Sequence, residues 1–193
     1  MIELPERHWD PQTKIFGIDT WHSPLAIWAF DHVLNDLKPA RIVEIGTGYG
    51  GLTAYLGLWA AVNGAHIVSF DTVGTVAETA LQALVHLPVM LVHMDVLKPE
   101  GEDTIKALTS GEDAVPVLLY CDGGNKAEEL LRFARGIPVG SVIGCHDYGT
   151  EVPPCVADFN MRDWGFSKYV DGVRLAELGT RQAFWIRDKE ESK

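Results

Sequence analysis

The 193-residue sequence has three cysteines, no internal repeat, no low-complexity tract and no apolar run near the ~18 residues of a membrane span. Three thiols cannot all pair, so a disulfide scaffold is excluded; Cys121 and Cys145 each close an apolar run, which reads as reduced, buried thiols of a cytoplasmic protein. The segment Met1 to Asp10 is charged and broken by Pro5, without the apolar centre of a signal peptide or anchor. Basic residues are scarce and unclustered, 16 Lys and Arg against 27 Asp and Glu, giving a net charge of −11. Nucleic acid is therefore not an expected partner, because its affinity comes from clustered cations; a small or cationic ligand suits the balance better. What is present is ordinary for a globular protein: 47% hydrophobic and 22% charged residues in a length that fits one domain, 1–193.

Strand and helix patterns alternate along the chain. Ser23 before Pro24 reads as an N-cap with proline at the first helical position, opening a helix to Leu37 that stops before Pro39. Its apolar residues fall on two stripes, one with Leu25, Trp28, Ala29 and Val33, the other with Ile27, Phe30 and Leu34, which leaves core packing, a lid or a homo-oligomer contact open. Short non-alternating apolar runs at 41–45, 66–70, 89–92, 116–121 and 141–145 suit parallel strands buried on both faces. Between them, Val76, Ala80, Leu81 and Leu84 share one helical face, and Ala127, Leu130, Leu131 and Ala134 another. The expected fold is α/β, a doubly wound Rossmann-like sheet with right-handed crossovers. Segments 166–178 and 182–187, joined through Gly179-Thr180, are too close for a crossover and should pair antiparallel; the tail from Arg187 to Lys193 should fray.

In such a sheet ligands bind beyond the carboxyl ends of the strands. Acids stand there: Glu44 inside the end of the first strand, then Asp71, Asp95, Asp122 and Asp147 after the next four. Gly46, Gly48 and Gly50 allow a tight strand-to-helix turn whose N–H groups approach a ligand closely. Gly51 extends this to G-x-G-x-x-G, so a dinucleotide is an alternative. Electrostatics separates the two: a pyrophosphate fits badly beside Glu44 and Asp122, whereas a sulfonium and an ammonium are favoured. Asp71, with Thr72 beside it, is placed to accept ribose hydroxyls of either cofactor. Asp95 is placed for an adenine amino group, with Met94 or Val96 on the ring face, or else caps the next helix.

Val43-Glu44-Ile45-Gly46-Thr47-Gly48-Tyr49-Gly50 resembles motif I of the class I S-adenosylmethionine-dependent methyltransferases, and the likeness extends over residues 23–187. It implies a seven-stranded sheet of order 3-2-1-4-5-7-6 with the last strand antiparallel, a cofactor-binding core at 39–187, and an N-terminal cap segment and helix at 1–38. Cys121-Asp122-Gly123-Gly124-Asn125-Lys126-Ala127-Glu128 and Gly144-Cys145-His146-Asp147-Tyr148 resemble the branch of cephalosporin-hydroxylase-like proteins and metal-dependent sugar or small-molecule O-methyltransferases. That likeness implies O-methylation of a small hydroxylated acceptor, with Asp122 and Asp147, joined by His146, holding a divalent cation such as Mg2+ that would activate the hydroxyl. Where the branch commonly has a histidine this chain has Asn125, which with Glu128 also resembles a capping box. His146 is then the remaining base, a metal ligand, or a residue turned away, and Lys126 a substrate or carboxylate contact. Trp21 and His22 precede the first helix, where similar enzymes cover the acceptor pocket; His32, His66 and His86 read as structural. The competing readings are an NAD-dependent oxidoreductase or epimerase, and a methyltransferase-like binding protein without catalysis.

Overall fold

A computed structural model describes residues 14–74, 76–110, 116–170 and 180–188. It opens with a two-stranded antiparallel hairpin, β1 (Lys14–Ile15) and β2 (Ile18–Asp19), which the sequence patterns did not suggest. Helix α1 (Pro24–Leu37) starts as expected: the Ser23 side chain accepts the Ala26 N–H, and Lys38 closes the other end in the left-handed region. Both stripes of α1 contribute buried residues, Ala29, Phe30, Val33 and Leu34 among them, while Trp28 stays exposed and stacks on His32.

The core is one seven-stranded sheet. Its members are β3 (Arg41–Ile45), β4 (His66–Asp71), β5 (Val89–His93), β6 (Val117–Cys121), β7 (Val142–Cys145), β8 (Phe166–Val170) and β9 (Ala183–Arg187), in the order β5-β4-β3-β6-β7-β9-β8. Counted from β3 this is 3-2-1-4-5-7-6, parallel throughout except for β9, which runs antiparallel to both β7 and β8. Helices α2 (Gly51–Asn63), α3 (Glu78–Leu84), α4 (Pro99–Ser110), α5 (Lys126–Phe133) and α6 (Pro154–Asp163) lie between the strands. β3 and β6 lie next to each other at the centre, and every residue of β6 is buried. One apolar cluster, with Val43, Leu119, Ile143 and Trp185, fills one face of the sheet; another, with Phe30, Ile42, Leu118 and Phe184, fills the other.

Several expectations need correction. β5 is an edge strand with Met90 and Leu91 exposed, so its apolar run does not mark burial on both faces. Val76 precedes α3 and Leu81 is exposed on it, leaving Ala80 and Leu84 as its buried face. In α5 the buried face is rotated toward Glu129 and Phe133, with Leu131 only partly covered. The hairpin of β8 and β9 pairs antiparallel as expected; residues 171–179, the tail 189–193 and the segment 1–10 lie outside the described residues. Cys121 and Cys145 are buried free thiols, while Cys155 is exposed. Among the described residues, no helix is long and apolar enough to cross a membrane.

Candidate active site

The carboxyl ends of β3, β4, β6 and β7 open into one cleft of about 930 Å³, lined by the glycine loop on one side and by α5 and the turn after β7 on the other. Gly46, Gly48 and Gly50 all take positive φ, and a Cβ on Gly46 would lie 2.2 Å from the Asp122 carbonyl oxygen. The loop therefore packs directly on the end of β6, which only glycine permits. Asp71 ties the loop down: one carboxylate oxygen accepts the Gly48 N–H at 2.8 Å and the other the Val73 N–H at 2.8 Å. Each oxygen keeps a second lone pair for a ligand hydroxyl.

Glu44 is not in the cleft. It is fully buried beneath the loop, where Oε2 accepts from Thr53 and Ser69, both at 2.6 Å, and Ser69 bonds Thr47 at 2.7 Å. Burial pushes its carboxyl up to about 7, against the two hydroxyl donors, and Oε1 has no hydrogen-bond partner. The sequence-based picture of Glu44 as a charge facing the ligand is thus corrected: it braces the loop through Ser69 and Thr47 and carries only part of a negative charge at neutral pH. Seven other carboxylates still line the cleft, against two lysine or arginine side chains, Lys126 and Arg181. A cationic ligand is favoured there and a pyrophosphate is not.

Thr47, Tyr49, Thr72, Met94, Asp95 and Val96 all line the cleft. Asp95 also makes a local turn by accepting the Leu97 N–H at 3.0 Å, so it serves the loop before α4 as well as facing the cavity. Trp21 lines it too, stacked on Tyr49 with ring centroids 5.9 Å apart.

At the other end the polar residues converge. His146 Nδ1 lies 3.3 Å from Asp122 and 3.3 Å from Asp147, and Lys126 Nζ lies 3.2 Å from Asp147, 3.1 Å from Glu151 and 3.9 Å from Asp122. Burial works against an imidazolium, but the two carboxylates outweigh it and raise His146 to about 9. Asp122 loses stability as an anion through burial, yet the imidazoles of His146 and His22 beside it hold its carboxyl well below the ordinary range. Burial would lower Lys126, but Asp122, Glu151 and Asp147 more than compensate and keep it an ammonium.

Asn125 is a helix cap: its side chain accepts the Glu128 N–H at the start of α5. The reciprocal bond comes from Glu129, whose carboxylate accepts the N–H groups of Gly123 at 3.1 Å and Asn125 at 3.2 Å. Burial raises Glu129 to about 7 despite these donors. Sequence reading missed Glu129, Glu151 and Arg181 as cleft residues, and the only signal for Glu129 was an acid four residues after a cap. It also left His22 as a covering residue; the structure buries it, with Nε2 3.2 Å from Asp122. His32 pairs with Asp36 on the surface of α1 and His66 is exposed at the start of β4, both away from the cleft. Tyr148 fills the sheet, its hydroxyl donating to Asp158 at 2.8 Å.

A family described as Rhamnosyl O-methyltransferase/CmcI matches residues 7–172. Curated rhamnosyl O-methyltransferases of Mycobacterium tuberculosis and Mycobacterium bovis are 36% identical over 44 residues, a stretch that covers 23% of this chain and only 18% of the relative. Among solved structures, an apo form of CmcI superposes with a TM-score of 0.69 at 15% identity, covering 93% of this chain and 77% of that one. A CmcI structure with Mg and SAM gives 0.68 at 16% identity, covering 93% and 78%. An SAH-bound methyltransferase of Podospora anserina gives 0.59 at 17% identity, covering 87% and 80%. At these identities the structural likeness shows a shared fold.

Proposed function

The chain belongs to the Rhamnosyl O-methyltransferase/CmcI family, and from that premise we propose that it transfers the methyl group of S-adenosylmethionine to a hydroxyl of a small acceptor, a sugar or natural-product intermediate. One observation carries the reading: a single electronegative cleft joins the glycine loop of Gly46, Gly48 and Gly50 to the polar cluster of Asp122, His146 and Asp147. The loop fits the donor because its glycines bring the backbone close along the cavity beside the Asp71 carboxylate, where a nucleoside would lie, with Met94 and Val96 as apolar walls. The excess of carboxylates favours the sulfonium and the amino group. About 930 Å³ is room for donor and acceptor together, at the upper end of ordinary ligand pockets.

Asp122 and His146, with Asp147 against the same ring, mix carboxylate oxygen and imidazole nitrogen, a donor set that fits a divalent cation. Bound there, such an ion would acidify the acceptor hydroxyl and orient it. The chain's own part is alignment: Lys126 and Arg181 hold Asp147, and Asp147 with Asp122 fixes the His146 ring at the mouth of the loop. As the O–CH3 bond forms and the S–CH3 bond breaks, the sulfonium becomes a neutral thioether and the hydroxyl proton is released to water. Holding the acceptor within about 3–3.5 Å of the methyl carbon supplies most of the rate. The net charge of −11 argues for a small molecule and against nucleic acid, and the reduced thiols Cys121 and Cys145 support a cytoplasmic setting.

The test is Asp122→Ala, assayed for methyl transfer and for donor binding by calorimetry. Loss of turnover with S-adenosylmethionine binding retained supports the assignment, and unchanged turnover overturns it. Thermal stabilisation of the wild-type chain by NAD instead of S-adenosylmethionine would overturn the donor itself.

A further inference from the structure

Methyl transfer as described leaves His22 without a part, yet the chain goes to some length to mount it. Its ring is buried, with Nδ1 2.5 Å from the Thr20 carbonyl oxygen. The Thr20 hydroxyl bridges the His22 backbone, accepting from its N–H at 3.1 Å and lying 3.2 Å from its carbonyl. This tight loop forces Trp21 to φ +57°, a conformation that costs a bulky residue free energy unless its neighbours impose it. A carbonyl only accepts, so Nδ1 carries the ring hydrogen, and in the neutral ring Nε2 presents a lone pair. That lone pair points at another acceptor, Asp122 Oδ2, at 3.2 Å. On the opposite oxygen of the same carboxylate, His146 Nδ1 lies 3.3 Å away, and the two imidazole rings are 4.7 Å apart between centroids. Two rings and one carboxylate, drawn from the segment before α1 and from the ends of β6 and β7, converge on one point.

We propose that His22, Asp122 and His146 form a two-histidine, one-carboxylate site for a borderline divalent transition metal such as zinc or cobalt, and that the ion sits beside the donor loop. Atoms bound at about 2.1 Å to one ion, at angles between about 90° and 109°, lie about 3.0–3.4 Å apart. His22 meets one oxygen of Asp122 at 3.2 Å and His146 the other at 3.3 Å, and one donor atom from each of the three residues lies within 4.8 Å of the others, so small side-chain rotations would close them onto one ion. The Thr20 carbonyl supplies what ligating histidines ordinarily have, a hydrogen-bond acceptor on the second ring nitrogen that fixes tautomer and orientation. Magnesium takes oxygen ligands and keeps its waters, whereas imidazole nitrogen shifts preference toward zinc, cobalt and their neighbours. Asp147 stays outside the ligand set, engaged by Lys126 at 3.2 Å and Arg181 at 3.8 Å, and orients His146. Three protein ligands leave further coordination positions open to the cleft, where an acceptor oxygen would bind. The inference rests on the methyl-transfer reading only for what the ion is near.

The whole chain, without donor, is titrated with Co2+ and followed by its visible d–d absorption, which reports nitrogen and oxygen ligation directly. The expected result is a saturable band at one equivalent that Zn2+ abolishes and that Mg2+ does not displace at about 100-fold excess. His22→Gln should weaken Co2+ binding about 10–100-fold and change the band, while His32→Gln, on the surface of α1, should leave both as in the wild type. No band, displacement by Mg2+ at equal concentration, or a His22→Gln variant that titrates like the wild type would each overturn the site. Circular dichroism shows whether His22→Gln is folded; if it is not, the wild-type competition against Mg2+ and the same titration of His146→Gln decide. Donor binding, measured by calorimetry on the same sample, separates the two claims. Binding of S-adenosylmethionine with no cobalt band sinks the metal site alone, and a cobalt band without donor binding sinks the methyl-transfer reading alone.

Discussion

The carboxylate of Asp71 accepts the backbone N–H of Gly48 at 2.8 Å, so the acid that ends β4 holds the loop that follows β3. Removing it releases the loop and deletes the acceptor for ligand hydroxyls together. Asp71→Ala should weaken S-adenosylmethionine binding about 10–100-fold, or about 1.4–2.8 kcal/mol, by calorimetry. Asp71→Asn keeps the shape but replaces one acceptor by a donor, so it should fall between. Equal affinity in all three chains would place the nucleoside elsewhere.

Gly46 and Gly48 share the left-handed region but not the space around them. A Cβ on Gly46 would collide with the Asp122 backbone at 2.2 Å, whereas nothing lies within 4 Å of one on Gly48. Gly48→Ala should therefore cost only backbone strain, about 1–2 kcal/mol. Gly46→Ala must also push Asp122 away, and should abolish turnover as well as donor binding. Similar activity in the two variants would show that the loop and the end of β6 move independently.

Much of this was legible in the residues. The β-branched runs gave the parallel strands and the strand-end acids gave four acids that line the cleft, because each signal is local, while the resemblance of the glycine loop to motif I implied the sheet order. Ser23 and Asn125 as helix caps were legible for the same reason. What stayed hidden depended on contacts between distant residues. His22 and Asp122 are separated by 100 positions and meet only through the packing of the segment before α1 over the cleft. Glu44 carries the same letter whether it faces ligand or lies under the loop, and only its bonds to Thr53 and Ser69 decide. The exposure of Met90 and Leu91 follows from β5 being an edge, a property of topology and not of the run itself.

Stability should fall as pH rises from 5 to 8. Glu44 and Glu129 each have a folded-state pKa of about 7 against an ordinary 4.5, chiefly because they are buried. A carboxyl whose pKa is raised by folding binds its proton more tightly in the native state. Its contribution is complete below about pH 4.5 and is lost as pH rises through 7. Each shift corresponds to about 3 kcal/mol. His146, raised from 6.5 to about 9, adds to the fall in the upper part of this range. Urea denaturation across it should show the decline, and Glu44→Gln, which cannot ionise, should remove about a third of it. A profile that climbs with pH would mean that both acids are ionised in the folded chain.

Asp158 on α6 gathers three donors: the Tyr148 hydroxyl at 2.8 Å, the Trp185 indole N–H at 3.2 Å and the Lys168 ammonium at 2.8 Å. It joins α6 to β8, β9 and the turn after β7. Asp158→Ala strands two buried aromatic donors, each costing about 1–3 kcal/mol. At about 2–4 °C per kcal/mol for a chain of this size, Tm should fall by about 5–15 °C, and by less in Asp158→Asn, which keeps an acceptor. The functional consequence is more specific than the loss of stability. Tyr148 follows directly after Asp147, which is itself held at φ +54°, and the Tyr148 N–H bonds the Arg181 carbonyl across the cleft wall. Loosening Tyr148 frees Asp147 to relax, so kcat should drop while donor affinity, set by the distant loop and Asp71, stays as in the wild type. If donor affinity fell in step with kcat, the two ends of the cleft would be coupled through the sheet and alignment could not be assigned to the Asp147 turn.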